Sequence, residues 1–330
     1  MRRFSPRTRL GYPNSTNAML KNWIPGGDPP APIAQAGYFG GGYEAAFVST
    51  INKLTFSTDT MTTTAGTLSA VRGFFTGAAD SGTAGYWAGG QTTGGTKVST
   101  INKLTFSTDA VSTPAATLST ATEQATGAAN SGTAAYFAGG ADSTGRITRI
   151  NKLLFSTDAI STPAGVLSSA RSTSAGAANS GTAAYIAGGF SGAVNLSSIN
   201  KITFSTDAVS NLGTVLAAIN RALGGYANSG TAGYFVGGFT TAASSAIQKF
   251  VFSGETISTL AATLTVAVYD FSTAAQSGTA GYSAGGSNAA AANVAGVDKL
   301  AFSTDTRTTL AAVLSAARSG SAGFANSGTI

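Results

Sequence analysis

The chain of 330 residues contains neither cysteine nor histidine. Without cysteine there can be no disulfide framework and no thiolate metal site, so the fold must be held together by packing and hydrogen bonds. Without histidine the chain lacks the commonest general base and the commonest metal ligand. We therefore expect a protein that is not an enzyme and that needs no cofactor.

Charged residues and long hydrophobic runs are scarce as well. Only 10% of the residues are charged, whereas 43 residues are glycine, a balance typical of regular β architectures. No apolar run is long enough to span a membrane, and the Arg-rich N-terminus lacks the hydrophobic segment of a signal peptide. We expect a soluble protein without a membrane span, made in a cytoplasm.

The most prominent feature that the sequence does contain is a repeated motif. A Gly-Gly pair preceded by a small residue and an aromatic step returns every 48 to 50 residues. A period of 40 to 50 residues with strand and turn signals is the length of one four-stranded propeller blade. The pairs are Gly41-Gly42, Gly89-Gly90, Gly139-Gly140, Gly188-Gly189, Gly237-Gly238 and Gly285-Gly286.

Two further blocks recur with the same period. A strand-like block such as Ile51 to Phe56 is followed by a Ser-Thr-Asp turn, and a Leu-x-x-x-Arg block such as Leu68 to Arg72 leads into a strand of Gly, Ala and Ser. The small-residue strand suits the crowded axis of a propeller. The sequence shows no sustained helical period, so we predict an all-β fold.

The ends of the chain indicate how the ring closes. The last residues, 318 to 330, contain the small-residue strand of a seventh unit and stop before its Gly-Gly strand, whereas residues 36 to 42 are that Gly-Gly strand alone. The two halves complete one blade. We predict a six-bladed propeller over residues 36 to 330, closed by pairing of the N- and C-terminal strands, which removes open sheet edges.

The order of these features resembles the kelch repeat and the propeller domain of the galactose oxidase superfamily. The chain departs from the kelch pattern where a Trp usually follows the Asp turn, since these positions hold Thr63, Thr113, Thr162, Asn211, Thr259 and Thr309. Without His and Cys the copper site of galactose oxidase cannot be built. The near-identical Phe-Ser-Thr-Asp repeats are similar to kelch-like repeats encoded by tailed bacteriophages, cyanophages in particular, which implies a virion appendage.

Residues 1 to 35 differ from the rest in composition. They carry a net charge of +4 out of +6 and six of the eight prolines, which indicates an extended segment that cannot fold alone. We interpret it as a docking arm that binds other virion subunits, with the alternative that it packs on its own propeller; binding of nucleic acid is the least favoured reading. The expected contact residues are Arg2, Arg3, Phe4, Arg7, Arg9, Tyr12, Met19, Leu20 and Trp23.

Some polar residues recur once in every unit. The Asp residues after the strand-like block are interpreted as turn formers rather than catalytic carboxylates. One Lys per blade is interpreted as a solvated strand position that discourages edge pairing, with a cationic ring for anionic glycans as the alternative. The lysines are Lys53, Lys103, Lys152, Lys201, Lys249 and Lys299.

The loops after the Gly-Gly pairs vary between units, and loops on a rigid scaffold usually carry recognition. They are rich in Thr, Ser, Gly, Asn and Ala, which can bind sugar hydroxyls, but they contain few aromatic rings. The candidate ligand residues are Thr92, Thr93, Asp142, Phe190, Phe239 and Asn288.

Together these features favour a non-enzymatic virion protein of a tailed phage, placed on the tail, neck or baseplate and anchored by its arm, with contact to a host-surface glycan as a further role. A capsid decoration protein and a free carbohydrate-binding lectin are the alternatives.

Overall fold

The computed structural model describes residues 35–327, and every regular element in this range is a β-strand. The all-β prediction is therefore confirmed. In this part of the chain no helix is long and apolar enough to cross a membrane.

The described strands, numbered β1 to β28 along the chain, form six four-stranded antiparallel sheets, the blades. The following orders run from the axis outward. Blade 1 contains β28 (Ala322–Ala325), β1 (Ala36–Gly40), β2 (Ile51–Thr55) and β3 (Thr60–Thr63). Blade 2 contains β4 (Thr76–Asp80), β5 (Ala84–Ala88), β6 (Ile101–Thr105) and β7 (Ala110–Ser112). Blade 3 contains β8 (Thr126–Asn130), β9 (Ala134–Ala138), β12 (Ile150–Leu154) and β13 (Ala159–Ser161).

The second half of the ring has the same plan. Blade 4 contains β14 (Ala175–Asn179), β15 (Ala183–Ala187), β16 (Leu196–Thr203) and β17 (Ala208–Asn220). Blade 5 contains β18 (Gly224–Asn228), β19 (Ala232–Val236), β20 (Ala246–Val251) and β21 (Thr256–Thr263). Blade 6 contains β23 (Ser272–Gln276), β24 (Ala280–Ala284), β26 (Val297–Ala301) and β27 (Thr306–Thr309). Two short ribbons pair β10 (Ala141–Asp142) with β11 (Gly145–Arg146) and β22 (Val268–Tyr269) with β25 (Ser287–Asn288).

Blade 1 combines the two ends of the described chain. β28 pairs antiparallel with β1, and Tyr38 lies opposite Phe324. The closure predicted from the two half-units is confirmed, and the ring has six blades.

The small-residue strands line the axis, as predicted. Each contacts the corresponding strand of both neighbouring blades. The approach is so close that a Cβ atom added at Gly77 would lie 2.6 Å from the carbonyl oxygen of Gly323. Blade 6 has Thr273 at the equivalent position, and its hydroxyl donates to the carbonyl oxygen of Gly225 at 2.6 Å. At the glycine positions of the other five blades a side chain is excluded, because an added Cβ would collide with the backbone of the neighbouring blade.

The antiparallel strands give the propeller two different ends. One end, which we call the turn face, carries the tight Asn-Ser-Gly-Thr and Ser-Thr-Asp turns. The other end, the mouth face, carries the Gly-Gly pairs, the variable loops and the connections between blades. At Gly139 and Gly140 the backbone has φ values of +65° and +98°, and the Gly140 N–H donates to the Arg171 carbonyl oxygen at 2.8 Å. The glycines thus let each loop leave its blade against the next connection.

Neighbouring blades are joined by four side chains that we call the blade staple. Between blades 2 and 3, Phe155 stacks on Tyr86 with ring centroids 5.4 Å apart. Lys103 Nζ lies 5.4 Å from the Tyr86 centroid and 2.8 Å from Asp158 Oδ2. The Tyr86 hydroxyl donates to Asp158 Oδ1 at 2.7 Å, and burial together with this bond raises the pKa of Tyr86. Tyr and Lys belong to one blade, and Phe and Asp belong to the next.

The ion pair of the staple recurs at every interface of the ring, with glutamate replacing aspartate once. The pairs are Lys53–Asp109, Lys103–Asp158, Lys152–Asp207, Lys201–Glu255, Lys249–Asp305 and Lys299–Asp59. The carboxylates also adopt φ values between +49° and +55°, so their interpretation as turn residues is confirmed. The interpretation of the lysines as solvated residues that protect an edge is wrong, because they lie on third strands, half-buried, each with a carboxylate from the next blade.

Three connections between blades bury an arginine completely. Arg171 donates to the carbonyl oxygens of Gly188 and Ser198 at 3.0 and 3.1 Å, and burial lowers its pKa to about 10. Arg72 and Arg318 occupy the same position of the repeat and are also buried. These arginines replace water as donors to loop carbonyls, which fixes the connections beneath the mouth face.

Candidate functional site

The mouth face is built from positions that do not repeat. In each blade the residue after the Gly-Gly pair forms a β-bridge or short ribbon pairing with a residue of the incoming connection. The residues after Gly-Gly are Tyr43, Gln91, Ala141, Phe190, Phe239 and Ser287. Their bridge partners are Ser319, Gly73, Glu123, Ser172, Arg221 and Tyr269. The backbone therefore repeats six times while the side chains it presents vary between blades, with Phe after Gly-Gly shared by blades 4 and 5.

The next residue of each connection belongs to an axial ring. Its members are Phe74, Gln124, Thr173, Ala222, Asp270 and Gly320, and each N–H donates to the carbonyl oxygen of the preceding member at 2.6–3.0 Å. The hydrogen bonds form a closed ring, because the Phe74 N–H donates to the carbonyl oxygen of Gly320. All six residues have φ between +52° and +62°, although only one is glycine. Such backbone costs about 1–3 kcal/mol per non-glycine residue and is commonest at functional sites.

A cavity of about 360 Å³ opens beside this ring, between the connections and loops of blades 3 to 6. Arg221 lies between two aromatic rings, with its guanidinium carbon 4.9 Å from the centroid of Phe190 and 5.1 Å from that of Phe239. Arg146 lies over Phe190 at 5.2 Å, and Tyr269 meets Phe239 edge to face at 5.3 Å. We call this the Arg–Phe cavity. Stacking on aromatic rings holds each guanidinium in place without using its N–H groups.

Asp270 of the axial ring also lines the Arg–Phe cavity. Burial raises the pKa of its carboxyl to about 6, and the positive charge of Arg221 opposes this shift only in part. The carboxyl therefore changes charge in mildly acidic solution. The other polar side chains of the ring in this cavity are Gln124 and Thr173, and the Thr173 hydroxyl donates to the carbonyl oxygen of Ser172 at 2.7 Å.

Blades 1 and 2 present a second aromatic group at the same end of the propeller. Tyr43 meets Phe47 edge to face at 5.4 Å, and Phe47 meets Phe74 at 6.0 Å. Tyr43 is 42% exposed, which is unusual for a large aromatic side chain in this structure. On the mouth face, blades 1 and 2 thus present aromatic side chains, whereas blades 3 to 6 present both cationic and aromatic side chains.

The structure brings together two of the six loop residues singled out from the sequence, Phe190 and Phe239. Asp142 is buried, and although burial acts to raise its pKa, hydrogen bonds from Thr144 and the charge of Arg149 lower it overall. Asn288 accepts hydrogen bonds from the N–H groups of two residues in its own loop.

Thr92 closes a tight loop by donating to the Thr96 carbonyl oxygen, and Thr93 is exposed next to it. The nine arm residues named above lie outside the described residues.

Arg146, Arg221, Tyr269 and Asp270 were not predicted as site residues. For Arg221 the sequence does contain a signal, because it stands one position later than the buried arginines of three other units, after Asn220. Asn220 takes over the buried place and donates to the Gly237 carbonyl oxygen at 2.8 Å. The shift by one residue moves the guanidinium from the interior to the mouth face.

Within residues 35–327 no group of three or more His, Asp or Glu residues is placed to hold a metal ion. No protein-family model and no curated protein matches this chain.

Proposed function

We propose that this chain is a non-enzymatic attachment protein of a bacteriophage particle. In this proposal the arm of residues 1–35 binds other virion subunits and the propeller presents its mouth face to a glycan on the host surface. The observation that supports a recognition role is the contrast within each blade: side chains repeat at the blade staples, whereas they vary at the mouth face on a repeated backbone.

The strain in the axial ring supports the same role. Glycine would fit all six positions at lower conformational cost, yet five positions carry other side chains, including the β-branched Thr173. A rigid ring with non-repeating side chains is suited to reading one defined ligand.

The assignment to a kelch-like phage protein rests on the order of sequence features and on the near-identical Phe-Ser-Thr-Asp repeats. The location on a virion rests on the composition of the arm, whose net charge of +4 suits an acidic surface on another subunit. Position on the tail, neck or baseplate is our first choice and capsid decoration our second. A free lectin is the remaining candidate, and it would not need the arm.

A pull-down from particles of the encoding phage tests the anchoring role. The full chain would be compared with a shortened chain that begins at Gln35, which is kept because its carbonyl oxygen accepts from the Phe56 N–H at 3.0 Å. We expect only the full chain to retain tail, neck, baseplate or capsid subunits, and the retained subunit identifies the location.

A matched control is the full chain with Arg2, Arg3, Arg7 and Arg9 changed to Gln, which keeps the apolar arm residues and removes charge. Partial retention by this variant would assign the remainder of the affinity to the apolar residues. If neither the full nor the shortened chain retains virion subunits while both bind host cells, the anchoring role is refuted and the lectin is supported.

A further inference from the structure

Most cations of the propeller are neutralised by the protein itself. Residues 35–327 contain 14 Lys and Arg residues, and 12 of these have an ion pair within 4 Å or hydrogen bonds from their charged groups to other protein atoms. The remaining two in this range are Arg146 and Arg221. Both stack on the same ring, that of Phe190, and both line the Arg–Phe cavity.

The guanidinium groups of Arg146 and Arg221 are preorganised to bind planar anions. Each rests on an aromatic face, so that side-chain freedom is restricted before any ligand binds. The N–H groups of a guanidinium lie in its plane and match the two oxygens of a carboxylate. Within the described residues, neither Arg146 nor Arg221 has a carboxylate oxygen closer than 4 Å that would compete for them.

The rest of the cavity suits a polyhydroxylated molecule. Asp270 and Gln124 offer an acceptor and an amide beside the axial ring, and the rings of Phe239 and Tyr269 offer apolar surface for C–H groups. A volume of about 360 Å³ falls within the range of small-molecule sites and leaves room for one or two sugar rings.

We propose that the Arg–Phe cavity binds a carboxylated saccharide, such as a uronic acid unit of a surface glycan. Carboxylates of adjacent uronic acid units bind Arg221 and Arg146, one at each guanidinium, and the hydroxyl groups bind Asp270 and Gln124. This inference rests on the proposed recognition role of the mouth face, for which it names the class of ligand and the cavity.

An acidic peptide fits the cavity less well. Peptides are usually held through main-chain hydrogen bonds, but the backbone around the cavity is already used. The axial ring closes on itself, and Phe190 and Phe239 exchange backbone hydrogen bonds with Ser172 and Arg221. The hydrogen-bonding groups that the cavity offers to a ligand therefore belong almost entirely to side chains, which favours a ligand that carries its own hydroxyl groups.

Calorimetric titration of the full chain with trigalacturonate tests this inference, with the fully methyl-esterified trisaccharide as the matched neutral probe and a Glu-rich hexapeptide as the peptide probe. We expect trigalacturonate to bind, and the ester and the peptide to bind at least tenfold more weakly. Arg221→Gln and Arg146→Gln should each weaken binding of the acid by about tenfold to a hundredfold, the range for a charged hydrogen bond.

The control variant is Arg149→Gln, because Arg149 is a mouth-face arginine that already pairs with Asp142 at 3.6 Å. It should bind trigalacturonate as the unmodified chain does, and thermal unfolding should show all three variants folded.

Equal binding of the acid and the ester would overturn the carboxylate assignment while leaving glycan recognition intact. Unchanged affinity for the acid in both Arg221→Gln and Arg146→Gln would do the same. Binding of the peptide alone would overturn the saccharide class, and binding of no saccharide together with no binding to host cells would refute the recognition role itself.

Discussion

The blade interfaces and the mouth face use charge differently. At each interface a lysine meets the carboxylate of the next blade, as Lys103 meets Asp158 at 2.8 Å. At the mouth face Arg146 and Arg221 lie over Phe190 without such a pair in the described part of the chain. The charges that recur in every unit are thus used to hold the ring together, whereas Arg146 and Arg221, which have no counterparts in other units, remain without an ion pair in residues 35–327.

The same difference is found between Arg171 and Arg221, which stand one position apart in their repeats. Arg171 is fully buried and donates to loop carbonyls of blade 4. Arg221 is half-buried in the Arg–Phe cavity and stacks on aromatic rings. A displacement of one residue in a bridged connection moves a side chain from the interior to the surface. The shift places Arg221 in the cavity for which we propose ligand binding, without any change in the backbone plan.

Opening the ring should have the largest effect. A chain that ends at residue 317 lacks β28, so β1 loses its inner neighbour and exposes an unpaired edge near the axis. We expect loss of cooperative thermal unfolding and formation of aggregates, measured by calorimetry and size-exclusion chromatography. A chain that ends at Ser327 keeps β28 and serves as the control. A monomeric, cooperatively folding product from the shorter chain would show that closure is dispensable.

Breaking one blade staple should have a moderate effect. Asp158→Asn keeps a side chain that tolerates positive φ, and with Lys103→Met it forms a double-mutant cycle at the interface of blades 2 and 3. Because both groups are about one-quarter exposed, we expect a coupling free energy of only about 0.5–1 kcal/mol from denaturant unfolding.

The equivalent cycle at Lys249 and Asp305 is the control for this prediction. It should give the same coupling, because the ion pair has nearly the same length, 2.7 Å. Absence of coupling at both interfaces would show that the staple ion pairs do not contribute to stability.

The smallest effect is expected at Asp270, on the mouth face. Its folded pKa of about 6 lies above the ordinary value of 3.8, so between these pH values the folded protein holds a proton that the unfolded chain releases. Stability from this group is therefore present below about pH 4 and lost as the pH rises through about 6. Arg221 and Arg146 are the other charged side chains that line the cavity, and both stay positive over this window.

The variant Asp270→Asn should lack this dependence. We expect its melting temperature to exceed that of the unmodified chain by about 1–3 °C at pH 7.5 and to show no such excess at pH 4. The measurement is thermal unfolding of both chains at the two pH values. A difference that is the same at both would mean that the carboxyl titrates normally.

The fold could be predicted from the sequence because its information is local and repeated. The period, the Asp turns and the two half-units at the ends establish the blades and their closure without any knowledge of long-range contacts. Phe190 and Phe239 could be identified in the same way, as aromatic residues in variable loops.

The staples and the cavity could not be predicted, since their members meet only in the folded ring. Lys103 and Asp158 are 55 residues apart and contact each other because blades lie side by side. Arg146 and Asp270 come from different blades and have no counterpart in other units, so no period marks them. Only the curvature of the ring brings such single residues to one cavity.

The most direct test of the division between scaffold and recognition face compares Arg171→Gln with Arg221→Gln in denaturant unfolding and in binding to host cells. We expect Arg171→Gln to lose about 3 kcal/mol of unfolding free energy, because buried carbonyl groups lose their donors. We expect Arg221→Gln to have the unfolding free energy of the unmodified chain but to bind host cells at least tenfold more weakly. Equal loss of stability in both variants, or unchanged cell binding by Arg221→Gln, would contradict the division.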